Sequence, residues 1–292
     1  MKNRIIAVAA VFSLNVAAWA DYPADREAAM ELVKAGRNDE ALAAFDRMAK
    51  STADETQKSD ALEQAAMCAN RLKKPDRALE FAEQIPSVPV ANSVKMQLML
   101  ENREFKEIIA TFKDEDMSDW PAKAAGPAYF CRGRAYMTVR DGNAAESDLK
   151  KAFETLGEGE PRDQARLALA ETYRDILNDD AQALAIFTEG TTSQPIGGWV
   201  RLTCITSASD ILAKQNKCDE ALSMLANVDS NEMTGVWKYN FMLAYANVAA
   251  AQGKKDEAIA TLTEALAANV LAEWQKAAFE KKIKELQETE TK

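Results

Sequence analysis

Apolar side chains recur every three or four positions through residues 238–269, which is the pattern of helices with one buried face. Gly253 interrupts the pattern, and glycine readily takes the left-handed conformation that ends a helix. The stretch therefore predicts two short helices that meet in a tight turn. Their apolar positions are Phe241, Met242, Tyr245, Val248 and Ala249 in the first helix, and Ala258, Ile259, Leu262, Ala265 and Leu266 in the second.

One hairpin of this kind cannot bury its own apolar face, so stacked copies are expected. Weaker copies align on one anchor position in the second helix of each pair, with successive gaps of 37, 30, 37, 38, 38 and 37 residues. This spacing predicts about seven hairpins, and the fifth has about one extra residue before its second helix. The anchors are Ala41, Ala78, Ile108, Ala145, Ala183, Ala221 and Ala258.

Several copies share a motif in which Asp-Glu-Ala precedes apolar residues at helical spacing. Residues 39–45 and 219–225 show it, and Gly133 and Tyr136 stand in a first helix. The motif resembles the tetratricopeptide repeat (TPR) family, whose signature has glycine and tyrosine in the first helix and Ala-x3-Phe in the second. Arg132 stands where the family has leucine. The resemblance implies an all-α solenoid of helix-turn-helix repeats.

The TPR-like array is predicted to span residues 21–270. Residues 271–292 are predicted to form a C-terminal capping helix and tail, because a terminal repeat needs a partly polar face in order to end the stack in water. The helix itself is predicted over residues 271–288, with lysines and glutamates on one side. Its apolar side is predicted to hold Trp274, Phe279, Ile283 and Leu286.

The first residues have the pattern of a secretory signal peptide. Lys2 and Arg4 precede an apolar run of about 12 residues, and Ala18-Trp19-Ala20 has the small-x-small form of a cleavage site. We expect residues 1–20 to be removed after Ala20, which predicts a periplasmic or secreted protein; an uncleaved anchor is the alternative. No other run approaches the ~20 apolar residues of a membrane helix, so no integral span is expected after cleavage.

The charge balance bears on the class of partner. The chain has a formal net charge of −10, and loss of Lys2 and Arg4 would make it about −12. Such an acidic protein is not expected to bind nucleic acid, which needs a basic surface.

The composition also restricts the chemistry. The sequence has no histidine, which removes the commonest general base and the commonest metal ligand. We find no Gly-rich phosphate loop and no nucleophile elbow. We therefore predict that the protein is not an enzyme and that it has no cofactor and no metal site.

Two further features are assigned structural roles. The four cysteines, Cys68, Cys131, Cys204 and Cys218, are predicted to form no structural disulfide, because the nearest two fall at distant points of a helix pair. Cys68 and Cys131, in different repeats, are predicted to be small buried residues. The acidic run that begins at Asp114 lacks the alternating ligands and glycine of a calcium loop. It is predicted to belong to a solvated linker over residues 114–127.

The resemblance also implies which residues face a partner, since in TPR arrays the first helix of each pair lines a concave groove. Asparagine and arginine side chains there would hold backbone or carboxylate groups, and a phenylalanine would supply an apolar contact. Carried over copy by copy, the groove positions are Asn70, Arg71, Phe130, Arg134, Met137, Glu171, Arg174, Asp210 and Asn247.

The main functional prediction is an exported TPR-like scaffold that binds a protein or peptide partner in this groove. Two other functions remain open at the level of sequence. One is a carboxylate-based hydrolase, or a glycan- or ligand-binding protein, built on a helical solenoid. The other is a structural spacer whose groove holds no specific ligand.

Overall fold

The structure is a computed structural model, and it describes residues 22–193, 198–226, 228, 236–267 and 271–288. These residues form helices and turns with no strand among them, so the predicted all-α fold is confirmed. The predicted signal peptide, residues 1–20, lies outside the described residues, as do residues 289–292 of the predicted tail.

The chain forms two compact units, Met1–Ala135 and Tyr136–Lys292. The first unit holds three consecutive helix pairs and most of one further helix, and buried Phe45, Leu62 and Phe81 pack with small alanines in its core. Its helices are α1 (Tyr22–Lys34), α2 (Asn38–Ser51), α3 (Glu55–Arg71), α4 (Pro75–Glu83), α5 (Val88–Glu101), α6 (Phe105–Phe112) and α7 (Ala122–Thr138), whose last residues fall in the second unit.

The second unit continues the alternation of longer and shorter helices. Buried Ile205, Leu225 and Leu262 lie between the helices of successive pairs. The helices are α8 (Gly142–Thr155), α9 (Glu160–Thr172), which runs on into the π-helical segment Tyr173–Leu177, α10 (Asp180–Gly190), α11 (Trp199–Lys214), α12 (Cys218–Ala226), α13 (Val236–Ala251), α14 (Lys255–Ala267) and α15 (Glu273–Glu288).

The seven anchors occupy equivalent positions. Each is the fourth residue of the second helix in its pair, and none is more than 1 % exposed. A small residue at a helix–helix contact lets the two backbones approach closely. In five of the six other pairs the residue equivalent to Ala258 is also an alanine, and the exception is Ile108. The repeat spacing therefore located the second helices correctly, including the copy with the 30-residue gap.

The turn inside each pair is also the same. Five positions before each anchor, one residue has a φ between 57° and 81°. The next residue then donates its backbone N–H to a carbonyl near the end of the first helix, as Lys254 does to Ala249 at 2.9 Å. The left-handed residues are Gly36, Lys73, Arg103, Arg140, Asn178, Asn216 and Gly253.

The predicted linker over residues 114–127 is shorter in the structure, because α7 begins at Ala122 and Pro127 lies inside it. A proline in a helix interior cannot donate to the carbonyl four residues earlier, so sequence alone favours a break there. Pro121, just before the helix, accepts instead from the N–H groups of Ala124 and Ala125, at 2.8 and 2.9 Å. These bonds start the helix upstream of Pro127.

The C-terminal helix is present and Ile283 packs against the core as predicted, but one residue of the predicted buried face lies outside it. Phe279 and Leu286 are buried as expected, whereas Trp274 is 61 % exposed and Gln275 is buried. The inner stripe follows positions 275, 279, 282 and 286, a spacing of four, three and four that lies on one side of a helix. Trp274 was wrongly assigned because it precedes this stripe by one residue, a rotation of about 100°.

Candidate functional site

A cavity of about 390 Å³ lies in the second unit. It is built by the end of α9 and its π-helical segment, by α11 and α13, and by the C-terminal helix α15. The cavity is lined by Arg174, Asp210, Ile211, Ala213, Lys214, Asn247, Ala251 and Lys282. It thus combines charged and amide side chains with a small apolar wall, so it is more polar than most ligand pockets, which are lined mainly by apolar side chains.

Asp210 and Asn247 form the polar pair of this cavity. Nδ2 of Asn247 donates to Oδ1 of Asp210 at 3.1 Å, and both residues are half-buried. They occupy the same place in successive hairpins, since each stands 11 residues before its anchor. Stacking of identical hairpins therefore brings the amide next to the carboxylate.

The pKa of the Asp210 carboxyl lies above its ordinary value, chiefly because burial penalises the charged form. The hydrogen bond from Asn247 opposes this shift, and so do the nearby cations of Lys214, Arg174 and Lys282. Even so, among the described residues Asp210 is in direct contact with no cation. Its carboxylate therefore keeps acceptor positions that Asn247 does not use.

Arg174 is held by groups next to the cavity. Its Nε and Nη2 donate to the two carboxylate oxygens of Asp175 at 2.7 and 2.8 Å, and its Nη1 donates to Oγ of Ser207 at 3.0 Å. The guanidinium also lies over the ring of Phe187, 5.4 Å from its centroid. A fork-to-fork pair of this kind fixes the plane of the guanidinium and neutralises most of its charge.

The π-helical segment explains how Arg174 comes to this position. In the fifth hairpin, Asp179 donates its backbone N–H to Tyr173, six residues back, whereas Lys217 in the next hairpin donates to Leu212, five back. The extra residue seen in the spacing is accommodated as a wider turn, and such π turns often occur at functional sites. When this extra residue is left out of the count, Glu171 stands 11 residues before its anchor, Ala183, and is therefore equivalent to Asp210 and Asn247.

The two lysines come from different parts of the unit. Lys214 is exposed in the last turn of α11, and Lys282 is half-buried on the inner stripe of α15. Neither forms an ion pair with a carboxylate in the part of the chain that the structure describes. Sequence analysis missed both residues, although the position of Lys282 between Phe279 and Leu286 was a visible signal.

Of the nine predicted groove residues, the cavity brings three together: Arg174, Asp210 and Asn247. Glu171 lies one turn before Arg174 and does not line the cavity, although its charge raises the pKa of that guanidinium. The Arg174 pKa is raised first by the hydrogen bonds to Asp175. The three cavity residues come from the end of the fifth hairpin's first helix and from the matching positions of the next two hairpins, and partner binding at the nine positions stays a prediction.

The other predicted residues lie elsewhere. Asn70 is 5 % exposed and donates from Nδ2 to Oε2 of Glu101 at 2.7 Å, so it connects two hairpins of the first unit. Arg71 is exposed at the end of α3. On α7 the remaining predicted side chains, Phe130, Arg134 and Met137, are half-buried.

The remaining chemistry is limited. The four cysteines are buried and free, and burial raises the pKa of the Cys131 and Cys204 thiols to about 12. Among the described residues, no three His, Cys, Asp or Glu side chains are grouped as a metal site would require. In the same part of the chain, no helix has the length and apolar character needed to cross a membrane.

Comparison with known proteins supports the fold. No family model matches the chain, and no curated protein matches it. The solved structure of a tetratricopeptide repeat protein from Parabacteroides merdae is similar, with 17 % sequence identity, a TM-score of 0.51, and coverage of 91 % of this chain and 99 % of the other. A structure of nearly identical TPR-like repeats from Podosopora anserina has 15 % identity and a TM-score of 0.36, covering 79 % of this chain and 94 % of the other. At such identities the likeness concerns the fold alone, and the fold of this chain is TPR-like.

Proposed function

We propose that this protein is an exported scaffold whose TPR-like array holds a protein or peptide partner in the periplasm or outside the cell. The observation that carries the proposal is the cavity of the second unit, to which three consecutive hairpins contribute Arg174, Asp210 and Asn247. A ligand that reaches all three side chains is held by three repeats at once.

The chemistry of the cavity suits part of a polypeptide. The carboxylate of Asp210 accepts hydrogen bonds, the two lysines attract carboxylates, and Ile211 and Ala213 offer a small apolar wall.

The same cavity favours binding over hydrolysis. Among the described residues that line it, Asp210 is the one carboxylate. Hydrolysis of glycosides by carboxylates uses two of them, about 5–10 Å apart across the scissile bond. We therefore propose a binding protein and not a hydrolase.

Site-specific photo-crosslinking in the native cell tests the proposal. A photoreactive amino acid in place of Lys214, which lines the cavity, is expected to capture a partner. The matched control replaces Glu264, an exposed residue of α14 in the same unit. Adducts of equal yield at both positions, or none at position 214, would contradict binding at the cavity and favour a spacer.

Two further measurements complete the test. Arg174→Glu places a second carboxylate beside Asp175 and should reduce the adduct at position 214 severalfold, because it reverses a charge in the cavity. Sequencing the amino terminus of the purified protein tests export: an end at Asp21 supports the proposal, and an intact Met1 contradicts cleavage.

A further inference from the structure

The cavity in the second unit has an unusual balance of charge. The guanidinium of Arg174 is neutralised by its two bonds to Asp175. Lys214 and Lys282 form no ion pair with a carboxylate in the described part of the chain, and Asp210 contributes one negative charge. When Asp175 is counted together with Arg174, the formal charges at the cavity sum to one net positive charge, which a ligand of net charge −1 would balance.

Asp210 adds a second requirement. A carboxylate can accept about four hydrogen bonds, and among the described residues Asp210 accepts one, from Nδ2 of Asn247 at 3.1 Å. The surrounding cations lie near enough to lower its pKa but not in direct contact. An anion without hydrogen-bond donors, placed between the two lysines, would have no hydrogen bond to donate to the Asp210 carboxylate. A ligand with an N–H donor would instead complete its hydrogen bonding.

The C-terminal helix supplies the remaining element. Lys282 lies on the inner stripe of α15 with Phe279 and Leu286, which are buried, so the packing of the helix holds the lysine at the cavity. The capping helix thus contributes to the site as well as ending the stack. The two lysines come from α11 and α15, so a ligand with two separate anionic groups can reach both.

A group with two carboxylates and one ammonium meets all three requirements. It has a net charge of −1, one carboxylate for each lysine, and a donor for Asp210. The cavity, at about 390 Å³, falls at the small end of the range for ligand pockets, which begins near 300 Å³. We infer that the cavity takes an acidic α-amino acid, and that Asp210 is the residue that selects for its ammonium group; as the first residue of a peptide it would keep this ammonium and its side-chain carboxylate, while its α-carboxyl is in the peptide bond. This inference rests on the proposed binding function and names the ligand group at the cavity.

Two probes that differ only in the ammonium group test the inference. L-glutamate and glutarate share a carbon skeleton and both carboxylates, and glutarate lacks the nitrogen. Titration calorimetry with the full chain should give an affinity for L-glutamate at least about tenfold higher than for glutarate, since a charged hydrogen bond is lost with the nitrogen. Equal affinities for the two probes would overturn the inference.

Variants assign the selection to Asp210. Asp210→Asn should remove the preference for L-glutamate, whereas Lys282→Met should weaken both probes and keep the preference. Glu264→Gln, a matched loss of one charge at an exposed position, should change neither. A preference that survives in Asp210→Asn overturns the role of this residue. Thermal unfolding of each variant tests whether it is folded. If Asp210→Asn does not fold, the Lys282→Met variant still tests the inference.

A further pair of probes separates the two sources of the ligand group. The peptide Glu-Ala-Ala with a free amino terminus should bind and its N-acetylated form should not, if the group is the first residue of a peptide. Binding of L-glutamate without binding of the peptide assigns the cavity to the free amino acid. If wild-type protein binds neither L-glutamate nor this peptide, the inference is wrong, whereas the proposed partner binding is judged separately by the crosslink at position 214.

Discussion

Asn247 donates a hydrogen bond to Asp210 across 3.1 Å, and the two residues are 37 positions apart, which is the period of the array at that point. The bond therefore connects two consecutive hairpins at equivalent positions. Asn247→Ala should lower the free energy of unfolding by about 1–2 kcal/mol, because it leaves a partly buried carboxylate without its amide donor. Urea denaturation measures the change.

A matched control is available in the first unit. Gln84 also donates from its side-chain amide, to the carbonyl of Glu80 at 2.9 Å, but it is exposed. Gln84→Ala should change the stability by no more than about 0.5 kcal/mol, as surface substitutions usually do. If the two variants lost the same stability, the bond between Asn247 and Asp210 would have no special role in joining hairpins.

The left-handed turn residues support a second prediction. Lys73 and Arg140 both have a φ of 59°, a conformation that is unfavourable for a residue with a Cβ atom. Lys73→Gly should stabilise the protein by about 0.5–1 kcal/mol, since glycine relieves this strain and loses part of the gain to the unfolded chain. Gly253→Ala, at a φ of 81°, should have the opposite sign.

Arg140 provides the comparison for that series. Its Nη2 donates to the backbone carbonyl of Asp175 at 2.8 Å, in the next hairpin. Arg140→Gly relieves the same strain but removes this bond, so its gain should be smaller than that of Lys73→Gly. Melting temperatures of the three variants would test this order of stability. A loss of stability in Lys73→Gly would contradict the idea that the left-handed conformation of Lys73 is strained.

Arg132 supports a third prediction, because a cation occupies a position where the TPR family has leucine. Its side chain is 7 % exposed, and its Nη1 donates to the backbone carbonyls of Phe112 and Glu115 at 2.7 and 2.9 Å. Arg132→Leu should cost about 2–3 kcal/mol, since both carbonyls then lose a charged donor. Limited proteolysis should also cut the segment after α6 sooner.

Arg47 serves as its control, because it is exposed and makes a long bond of 3.4 Å to the carbonyl of Ala43. Arg47→Leu should change stability by no more than about 0.5 kcal/mol. If Arg132→Leu were neutral or stabilising, the leucine of the family would suit this chain as well, and the two carbonyls would have other donors.

The repeat spacing predicted the fold well because each hairpin is a local unit. The anchors Ala41, Ala145 and Ala258 could be aligned from sequence since six of the seven copies have an alanine at this place. The turns were harder to see, because Lys73 and Arg103 adopt the left-handed conformation without being glycine. Packing of the flanking helices imposes that conformation, so the local sequence does not predict it.

The candidate site was predicted only in part, for a related reason. Asp210 and Asn247 follow from the period, and the extra residue that precedes Asp179 was visible as a longer gap, although not as a π turn. Lys282 depends on which face of α15 packs inward. Packing against the neighbouring helices determines this face, and it buries Gln275 and Phe279 while the more apolar Trp274 stays exposed.

The fourth prediction concerns acid. Oε1 of Glu146 accepts from Nζ of Lys150 and from the hydroxyl of Tyr173, both at 2.6 Å, and the pKa of this carboxyl lies below its ordinary value chiefly through Lys150 and then through Tyr173. A depressed pKa in the folded state stabilises the protein above the unfolded value, about 4.3, and the contribution is lost as the pH falls through the folded value. The stability difference between wild type and Glu146→Gln should therefore be largest near pH 7 and shrink towards pH 3, as measured by urea denaturation. Asp210→Asn should show the opposite trend, because burial raises the pKa of that carboxyl. A difference for Glu146→Gln that stays constant with pH would mean that its hydrogen bonds stabilise the neutral and charged forms alike.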